Sequence, residues 1–457
     1  MCKVLETIFP TRSEIARAPN SDITTLVAVV DGLPPGKHKE PEQIMEGFAF
    51  LPCDHRIVLP ELWQHDDNNT ASSQWNHSRS NITFRIRPNS SIERGLDIGV
   101  PLANTMFRNG RTSTLFASKW SRTGVTNTFE RVQQVEKKSA MIYPASSNSI
   151  VPLHLEIPLV PLMPPRRVVS GLGNIIRQVT NAEGNVVSAS QELEASVDSY
   201  LEARSLNKQT VIVWALIIPD SIIRDRTGGG ILATDQKQIK ASWTGTPDSS
   251  MRSYVGNWLQ QGRGATLHRV CRYPFFPSNC QVEHHKLKET VSGGGGWGLK
   301  QGLLSLDPET KLFDYEDTSH DFDSSDSVNK DQIQALGNIA KPGSWVQFLI
   351  SYNLTSSRPI FTVEPGTVDP GSESVSNLSF GCIASTIDEM PQPSAGPSVP
   401  SDSIDTRPSV NGFYGHFGAM SEVGIFIRAT GNGVVTSSKI DVPNSEFRLA
   451  VINRGKL

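Results

Sequence analysis

The sequence has little of what marks several large protein classes. Its 457 residues include only 5 cysteines, too few for a disulfide-stapled scaffold in so long a chain. Lys and Arg total 43 against 46 Asp and Glu, a net charge of −3, so the whole molecule is not polybasic, although a local basic face is compatible with it. The longest apolar run, Val211–Ile218, falls far short of the roughly 20 residues that cross a bilayer. We therefore predict a protein without a membrane span.

The N-terminal segment lacks a targeting pattern. Residues 1–19 have mixed charge and only short apolar pieces, which favours neither a signal peptide nor a bilayer span. Acidic residues such as Glu6 and Glu14 break the acid-poor pattern of an organelle presequence. These observations predict an intracellular protein.

Length and patterning predict an α+β fold that is rich in antiparallel β-sheet. At roughly 150 residues per domain the chain is long enough for two or three units. We expect a β-rich domain over 1–165, a helix-containing α/β portion over 166–355 and a β-rich C-terminal part over 356–457. An acidic insertion near 307–330 and a Pro- and Ser-rich disordered linker over 386–410 are predicted to interrupt the last two parts.

Several strands of the first part have recognisable patterns. Residues 82–87 alternate, with Ile82, Phe84 and Ile86 predicted to pack and the residues between them to face solvent. A hairpin is predicted between residues 102–108 and 112–120, because Asn-Gly at its centre tolerates the positive φ of a type I′ turn.

The middle part combines helix and strand signals. Residues 168–179 are compatible with a helix weakened by two glycines, and 188–204 with a stronger helix, in which Ser188 and Gln191 have capping-box spacing. The apolar run 211–218 predicts a buried strand that follows this helix.

Three other stretches also predict β-structure. Residues 150–162 contain three prolines and therefore belong at a sheet edge or in an extended linker, while the pattern of 345–352 is typical of a strong strand. Near the C-terminus, a three-strand meander is predicted over 422–430, 434–440 and 447–452.

A cluster of histidines and cysteines is the candidate metal site. His268, Cys271, Cys280 and His284 lie in a short stretch with His285, and their side chains are of the types that zinc prefers. The spacing departs from common structural zinc sites, because only eight residues separate the two cysteines. Two interpretations stay open: a zinc site, and a loop with ordinary buried cysteines.

Arginines and a glycine tract are the candidate anion-binding or RNA-binding residues. The tract does not match the P-loop of nucleotide-hydrolysing proteins, because its lysine is one place late and the magnesium-binding hydroxyl is missing. Backbone N–H groups of consecutive glycines can nevertheless surround an anion, and arginines can contact phosphates. The alternative is a solvated charged face beside a loop. The candidate residues are Arg85, Arg87, Arg166, Arg167, Gly294, Gly295 and Lys300.

Three sequence segments resemble those of a poorly characterised family of fungal proteins. They are residues 100–110 (VPLANTMFRNG), 163–178 (MPPRRVVSGLGNIIRQ) and 293–308 (GGGGWGLKQGLLSLDP). The resemblance covers most of the chain from about residue 24 and implies a mitochondrial location. It implies neither an activity nor a site residue.

These observations lead to two hypotheses about function. The sequence has no nucleophile elbow and no H-E-x-x-H motif. The leading hypothesis is therefore a non-catalytic binding or assembly factor, without a cofactor, that acts on RNA or a ribonucleoprotein, in organelle gene expression. The alternative is an enzyme or zinc protein whose site is built around His268, Cys271, Cys280 and His284.

Overall fold

The structure is a computed structural model that describes part of the chain. The described residues are 2, 5–6, 22–34, 45–51, 53–63, 80–87, 95–103, 113–122, 128–144, 153–206, 211–224, 235–244, 247, 249–271, 302–307, 339–352, 379–384, 411–414, 416–431 and 433–450.

The described residues form many short strands and a few helices. The strands are β1 Ile23–Ala28, β2 Met45–Phe50, β3 Asn81–Ile86, β4 Gly95–Pro101, β5 Leu115–Arg122, β6 Phe129–Lys137, β7 Ser139–Ile142, β8 Leu153–Glu156, β9 Leu159–Pro161, β10 Arg166–Leu172, β11 Ile175–Thr180, β12 Val186–Ser188, β13 Val213–Ile218, β14 Thr266–Arg269, β15 Leu304–Ser305, β16 Trp345–Ser351, β17 Ser379–Ala384, β18 Asn411–Tyr414, β19 His416–Ser421, β20 Ile425–Gly431, β21 Val434–Ile440 and β22 Ser445–Ala450. The helices are His55–Val58, Ala189–Ala203, Asp220–Arg224, Gln236–Ala241, Ser249–Arg252 and Tyr254–Gln260.

The described strands are arranged in five sheets. Three of these have three strands, in the orders β1-β5-β6, β18-β17-β2 and β19-β22-β8, and one has five, in the order β21-β20-β4-β3-β7. The eight-stranded sheet runs β12-β11-β10-β16-β13-β14, with β15 beside β11 and β9 beside β16. The strands pair antiparallel apart from β3 and β7, which run parallel. The predicted β-rich α+β class with antiparallel sheets is confirmed.

The sheets cut across the three parts expected from the sequence. Three sheets combine strands of 1–165 with strands of 356–457, while the eight-stranded sheet draws its strands from 159–351. One large core cluster includes buried side chains of both groups, among them Phe84, Trp214 and Phe447. The two ends of the chain therefore fold together, and their core is continuous with that of the middle part.

Strand patterns that depend on burial are confirmed. In β3, Ile82 and Phe84 are buried, whereas Thr83 and Arg85 lie on the other face. All six residues of β13 are buried, so both faces of this central strand are covered, and its backbone pairs with β14 and β16. The proline-broken segment supplies β8 at the edge of its sheet and the short β9.

The helix Ala189–Ala203 is confirmed close to its predicted bounds. Its buried face includes Leu193, Val197 and Tyr200, which belong to the core cluster. The predicted capping box is wrong, because the Ser188 side chain makes no capping hydrogen bond at the N-terminus of the helix. The Ser188 hydroxyl lies instead 3.0 Å from Ser190 Oγ and 3.3 Å from the Gly302 carbonyl oxygen.

The prediction of a helix over 168–179 is wrong, and a β-hairpin of β10 and β11 occupies this segment. Gly173 adopts φ +60° in the turn, a conformation that costs glycine little. Gly171 allows close packing, since a Cβ there would lie 2.4 Å from the Ala340 carbonyl oxygen. The β-branched residues that flank the turn favour strands over helix.

Two long-range pairings also differ from the predictions. The prediction of a hairpin between 102–108 and 112–120 is wrong for the described residues. Strand β5 pairs with β1 on one edge and with β6 on the other. In the C-terminal meander, β20 and β21 form the predicted hairpin. The third strand, β22, instead pairs with β19 and β8. Residues 308–330 and 386–410 lie outside the described residues, so the insertion and the linker stay predictions.

Candidate functional site

Two of the predicted anion-binding arginines are held in ion pairs within the fold. Arg85 on β3 donates from Nε and Nη2 to the two carboxylate oxygens of Asp97 on β4, at 2.9 and 2.8 Å. Arg166 on β10 donates from Nε to Glu192 Oε1 at 2.7 Å and so ties the strand to the helix Ala189–Ala203. Both pairs are largely buried, with side chains 13–16% exposed. These arginines are committed to contacts within the fold and are poorly placed to bind a phosphate.

The other two predicted arginines are exposed. Arg87 follows the last residue of β3, and Arg167 lies on β10, where its side chain points away from the face of Arg166. They belong to different sheets. Gly294, Gly295 and Lys300 lie outside the described residues, so their part in the predicted anion site stays a prediction.

Arg167 lies on a solvent-facing surface formed by β10, β11 and β12. The residues of this outer face are exposed, whereas Val168 on β10 and Ile176 on β11 are buried on the other side. Register shifts between Val168 and Gly171 interrupt strict alternation in β10, so that Val169 and Leu172, three residues apart, are both exposed. Apolar Val169, Leu172 and Val186 are 37%, 76% and 53% exposed. Arg177 on β11 is exposed beside the buried Ile176. The outer face therefore consists of Arg167, Arg177, Val169, Leu172 and Val186.

The inner side of the same three strands is anchored to the core. Val168, Ile176 and Val179 are at most 1% exposed and belong to the core cluster. The helix Ala189–Ala203 packs against β11 and β12 on this side. The outer face is consequently presented by a β-ribbon whose other side is packed against the core.

A further exposed cation lies in a segment whose backbone is hydrogen-bonded to β10. Lys341 is exposed in the segment before β16. This segment follows β10 closely, because Gly343 N donates to the Val168 carbonyl and Ala340 N to the Gly173 carbonyl, both at 2.8 Å. Sequence reasoning did not combine the exposed apolar residues and the arginines into one surface, because it assigned 168–179 to a helix.

The predicted metal site is only partly described. His268 is 3% exposed, and both ring nitrogens have partners: Nδ1 lies 3.1 Å from the Asp307 carbonyl oxygen and Nε2 lies 3.0 Å from Thr266 Oγ1. Burial lowers the pKa of His268, against a smaller opposing effect of Asp307, which favours a neutral imidazole. No ring nitrogen of His268 is left for a metal in this arrangement.

Cys271 lies three residues beyond His268, an odd spacing that places the two side chains on opposite faces of extended chain. Burial, followed by the charge of Asp307, raises the pKa of the Cys271 thiol, which disfavours the thiolate that zinc requires. Among the described residues no group of three or more His, Cys, Asp or Glu is arranged to hold a metal. Cys280 and His284 lie outside these residues, so the four-residue zinc site stays a prediction.

A cluster of buried ionisable groups was not predicted from the sequence. Glu156 on β8 and Glu446 on β22 are directly opposite each other in the antiparallel register and are 6% and 3% exposed. Arg448 contacts both carboxyl groups. Arg252 Nε lies 3.3 Å from Glu156 Oε1, and His154 Nε2 lies 3.4 Å from Glu156 Oε2. We call these five residues the glutamate cluster.

The two glutamates differ in their pKa values because their surroundings differ. Burial raises the pKa of Glu446 to about 7, outweighing the attraction of Arg448, and the neighbouring Glu156 charge adds to the rise. Burial also opposes ionisation of Glu156, but the hydrogen bond with His154 and the charges of Arg252 and Arg448 together lower its pKa. Glu156 is therefore ionised at neutral pH, whereas Glu446 keeps its proton to a much higher pH than an ordinary glutamate.

Comparison with protein-family models, curated proteins and solved structures found no match to this chain. The resemblance to fungal proteins thus stays a prediction. No helix within the described segments is long and apolar enough to span a membrane.

Proposed function

We propose that the protein is a non-catalytic binding factor that contacts RNA, alone or within a ribonucleoprotein, through the outer face. The observation that carries this proposal is the exposure of Arg167 and Arg177 on one face of a ribbon whose other side is anchored to the core. Guanidinium groups bind phosphates in bidentate geometry and stack on bases.

The apolar part of the outer face supports the same function. Val169, Leu172 and Val186 lie beside the arginines and are exposed to solvent. Single-stranded RNA offers unstacked bases that pack on apolar and planar side chains, while its backbone offers phosphates to the arginines. Because the ribbon is already ordered, binding costs little conformational entropy of the protein.

Fluorescence anisotropy with a labelled single-stranded RNA oligonucleotide tests this proposal. The affinity of the wild-type protein should fall steeply between about 50 and 200 mM salt, because bound phosphates release counterions. The double variant Arg167→Gln/Arg177→Gln should bind more weakly, and its slope of log affinity against log salt should be shallower by about 1.4, at about 0.7 per lost phosphate contact.

A matched control distinguishes the outer face from charge in general. Arg131 on β6 is also an exposed strand arginine but lies in another sheet. Arg131→Gln should leave affinity and slope unchanged. A flat salt dependence of the wild-type protein, or equal losses in the control and the outer-face variant, contradicts the proposal.

We also propose an intracellular location, with a role in mitochondrial gene expression, on the basis of the fungal resemblance. Fractionation of cells that produce the tagged protein tests it: recovery in the mitochondrial matrix with ribonucleoprotein supports the proposal, and recovery outside mitochondria contradicts it.

A further inference from the structure

The glutamate cluster joins the last described strand to the body of the protein. Glu446 and Glu156 oppose each other where β22 pairs with β8, and both side chains are almost inaccessible to water. On the opposite face of β22, Phe447 and Leu449 are buried in the core. Two buried carboxyl groups at directly opposed strand positions cannot both ionise without a large cost in free energy, unless nearby cations compensate their charges.

Cations compensate the negative charges of the two glutamates unequally. Glu156 is contacted by His154, Arg252 and Arg448, whereas the cationic contact of Glu446 is Arg448 alone among the described residues. Arg448 is also shared, because its Nη2 atom lies 3.5 Å from Glu156 Oε2 while it contacts Glu446 Oε1. If one carboxyl group of the pair carries a proton, the geometry selects Glu446.

Neighbouring elements add little charge on the side of Glu446. On β19 its register partner is Met420, flanked by Ala419 and Ser421, none of which titrates near neutral pH. The helix Tyr254–Gln260, which packs against β8, contains no acidic or basic residue. Asp31, in the segment beside β19, has a carboxylate that accepts hydrogen bonds from Ser421 Oγ and Glu422 N. Within the described segments, the charged groups that act on Glu446 are thus Arg448 and Glu156.

We propose that Glu446 acts as a proton-dependent latch that holds β22 against β8. With a proton on Glu446, the two carboxyl groups share a hydrogen bond and only Glu156 is charged. When the proton leaves to solvent, two carboxylates face each other in a buried strand pair with Arg448 divided between them. The pairing of β22 with β8 is then weakened, and the strand opens more often.

Hydrogen–deuterium exchange of the full-length protein, measured from about pH 5 to pH 8 and corrected for intrinsic exchange, tests the latch. In the wild-type protein, opening of Ser445–Ala450 should increase by up to about tenfold per pH unit towards pH 7 and then level off. Glu446→Gln keeps the shape and a hydrogen-bond donor but cannot titrate, so its opening should not change with pH.

Two controls separate Glu446 from other titrating groups. Glu202 is exposed on the helix Ala189–Ala203, and Glu202→Gln should retain the wild-type pH dependence. His154→Asn should also retain it, since the titrating proton sits on Glu446. Loss of the pH dependence in His154→Asn would assign the titration to the histidine and overturn the proposal, as would a wild-type dependence that persists in Glu446→Gln.

A direct titration keeps the proposal falsifiable if Glu446→Gln does not fold. Carbon-13 NMR of the glutamate carboxyl groups in the wild-type protein follows Glu446 without substitution. A midpoint near neutral pH for one glutamate, which falls to lower pH in Glu156→Gln because the neighbouring negative charge is removed, supports the latch. Titration of all glutamates near their ordinary value of about 4.3 overturns it.

Discussion

At the scale of single residues, ion pairs decide which arginines are available for binding. Arg85 and Arg87 lie two residues apart and look equivalent in the sequence, but Arg85 is paired with Asp97 and Arg87 is exposed. Arg166 and Arg167 differ in the same way, since Glu192 holds only Arg166. The partners lie 12 and 26 positions away, so the sequence predicts the type of candidate residue but cannot tell which arginine is committed to the fold.

Removing one partner of a largely buried ion pair should therefore destabilise the protein. We expect Asp97→Asn to lower the free energy of unfolding by about 1–3 kcal/mol, because it leaves the Arg85 guanidinium without its two charged hydrogen bonds. Urea denaturation followed by circular dichroism measures this. The control Arg87→Gln should change stability by less than about 0.5 kcal/mol. Equal effects of the two substitutions would show that the Arg85–Asp97 pair does not contribute.

The glutamate cluster predicts how stability varies with pH. The folded protein binds the Glu446 proton more tightly than the unfolded chain does, because its folded pKa is raised to about 7. The contribution of Glu446 to the free energy of unfolding is complete below about pH 4.5. It is lost as the pH rises to about 7, by up to about 3 kcal/mol. Glu156 has a lowered pKa and acts in the opposite sense, so its contribution is present above about pH 4.5 and is lost in acid.

Urea denaturation at a series of pH values checks this prediction. Between about pH 5 and pH 7, Glu446→Gln should remove a decrease in stability that the wild-type protein shows. A wild-type stability that stays constant or rises over this interval, with no difference from Glu446→Gln, would contradict it.

At the scale of single elements, strands that are specified by burial are predictable and those specified by distant partners are not. The alternation of β3 and the apolar run of β13 are visible locally, and both strands form as predicted. The hairpin of β10 and β11 was missed because its glycines count against a helix and a strand alike until Gly173 is seen in a turn of positive φ. The outer face could not be predicted without that hairpin.

The glutamate pair was even harder to predict from the sequence, because its two residues come together only through long-range strand pairing. Glu156 and Glu446 become neighbours only because β22 leaves the predicted meander and pairs with β8. No local pattern marks either residue, since each occupies an ordinary position of a short strand. Long-range pairing thus determines the site, and the hydrophobic pattern does not specify that pairing.

One close contact between elements should be sensitive to a single methyl group. A Cβ at Gly256, in the helix Tyr254–Gln260, would lie 2.5 Å from the Leu155 carbonyl oxygen on β8. We expect Gly256→Ala to destabilise the protein by about 1–3 kcal/mol, because backbone must move to relieve the overlap. Gly95→Ala is the control, since the atom nearest to its added Cβ, Arg87 Nη1, is 3.8 Å away. Urea denaturation of both variants measures the difference, and equal stability would contradict the packing.

At the scale of the whole molecule, the two ends of the chain depend on each other. In the five-stranded sheet, β3 and β4 from the first part adjoin β20 and β21 from the last part. Strands β2 and β8 likewise pair with β17 and β22. The sequence suggested consecutive parts because composition changes along the chain, but composition carries no information about which strands pair.

A fragment of residues 1–165 should consequently fail to fold alone. Strand β4 would lose its partner β20, and the edge strands β2 and β8 would lose the partner that each has among the described strands. Leu155 and Phe84 would also lose core partners. Circular dichroism and limited proteolysis of the fragment, beside the full chain, check this. A protease-resistant fragment with β-sheet signal and cooperative unfolding would contradict the shared fold.

Ultraviolet crosslinking in living cells, followed by mass spectrometry of the crosslinked peptides, tests the proposed RNA contact at the outer face without assuming a particular RNA. We expect RNA crosslinked to peptides from 166–188, which include the outer face, and a strong reduction in Arg167→Gln/Arg177→Gln. Absence of RNA above background, or crosslinks confined to peptides from other sheets, would contradict the proposal.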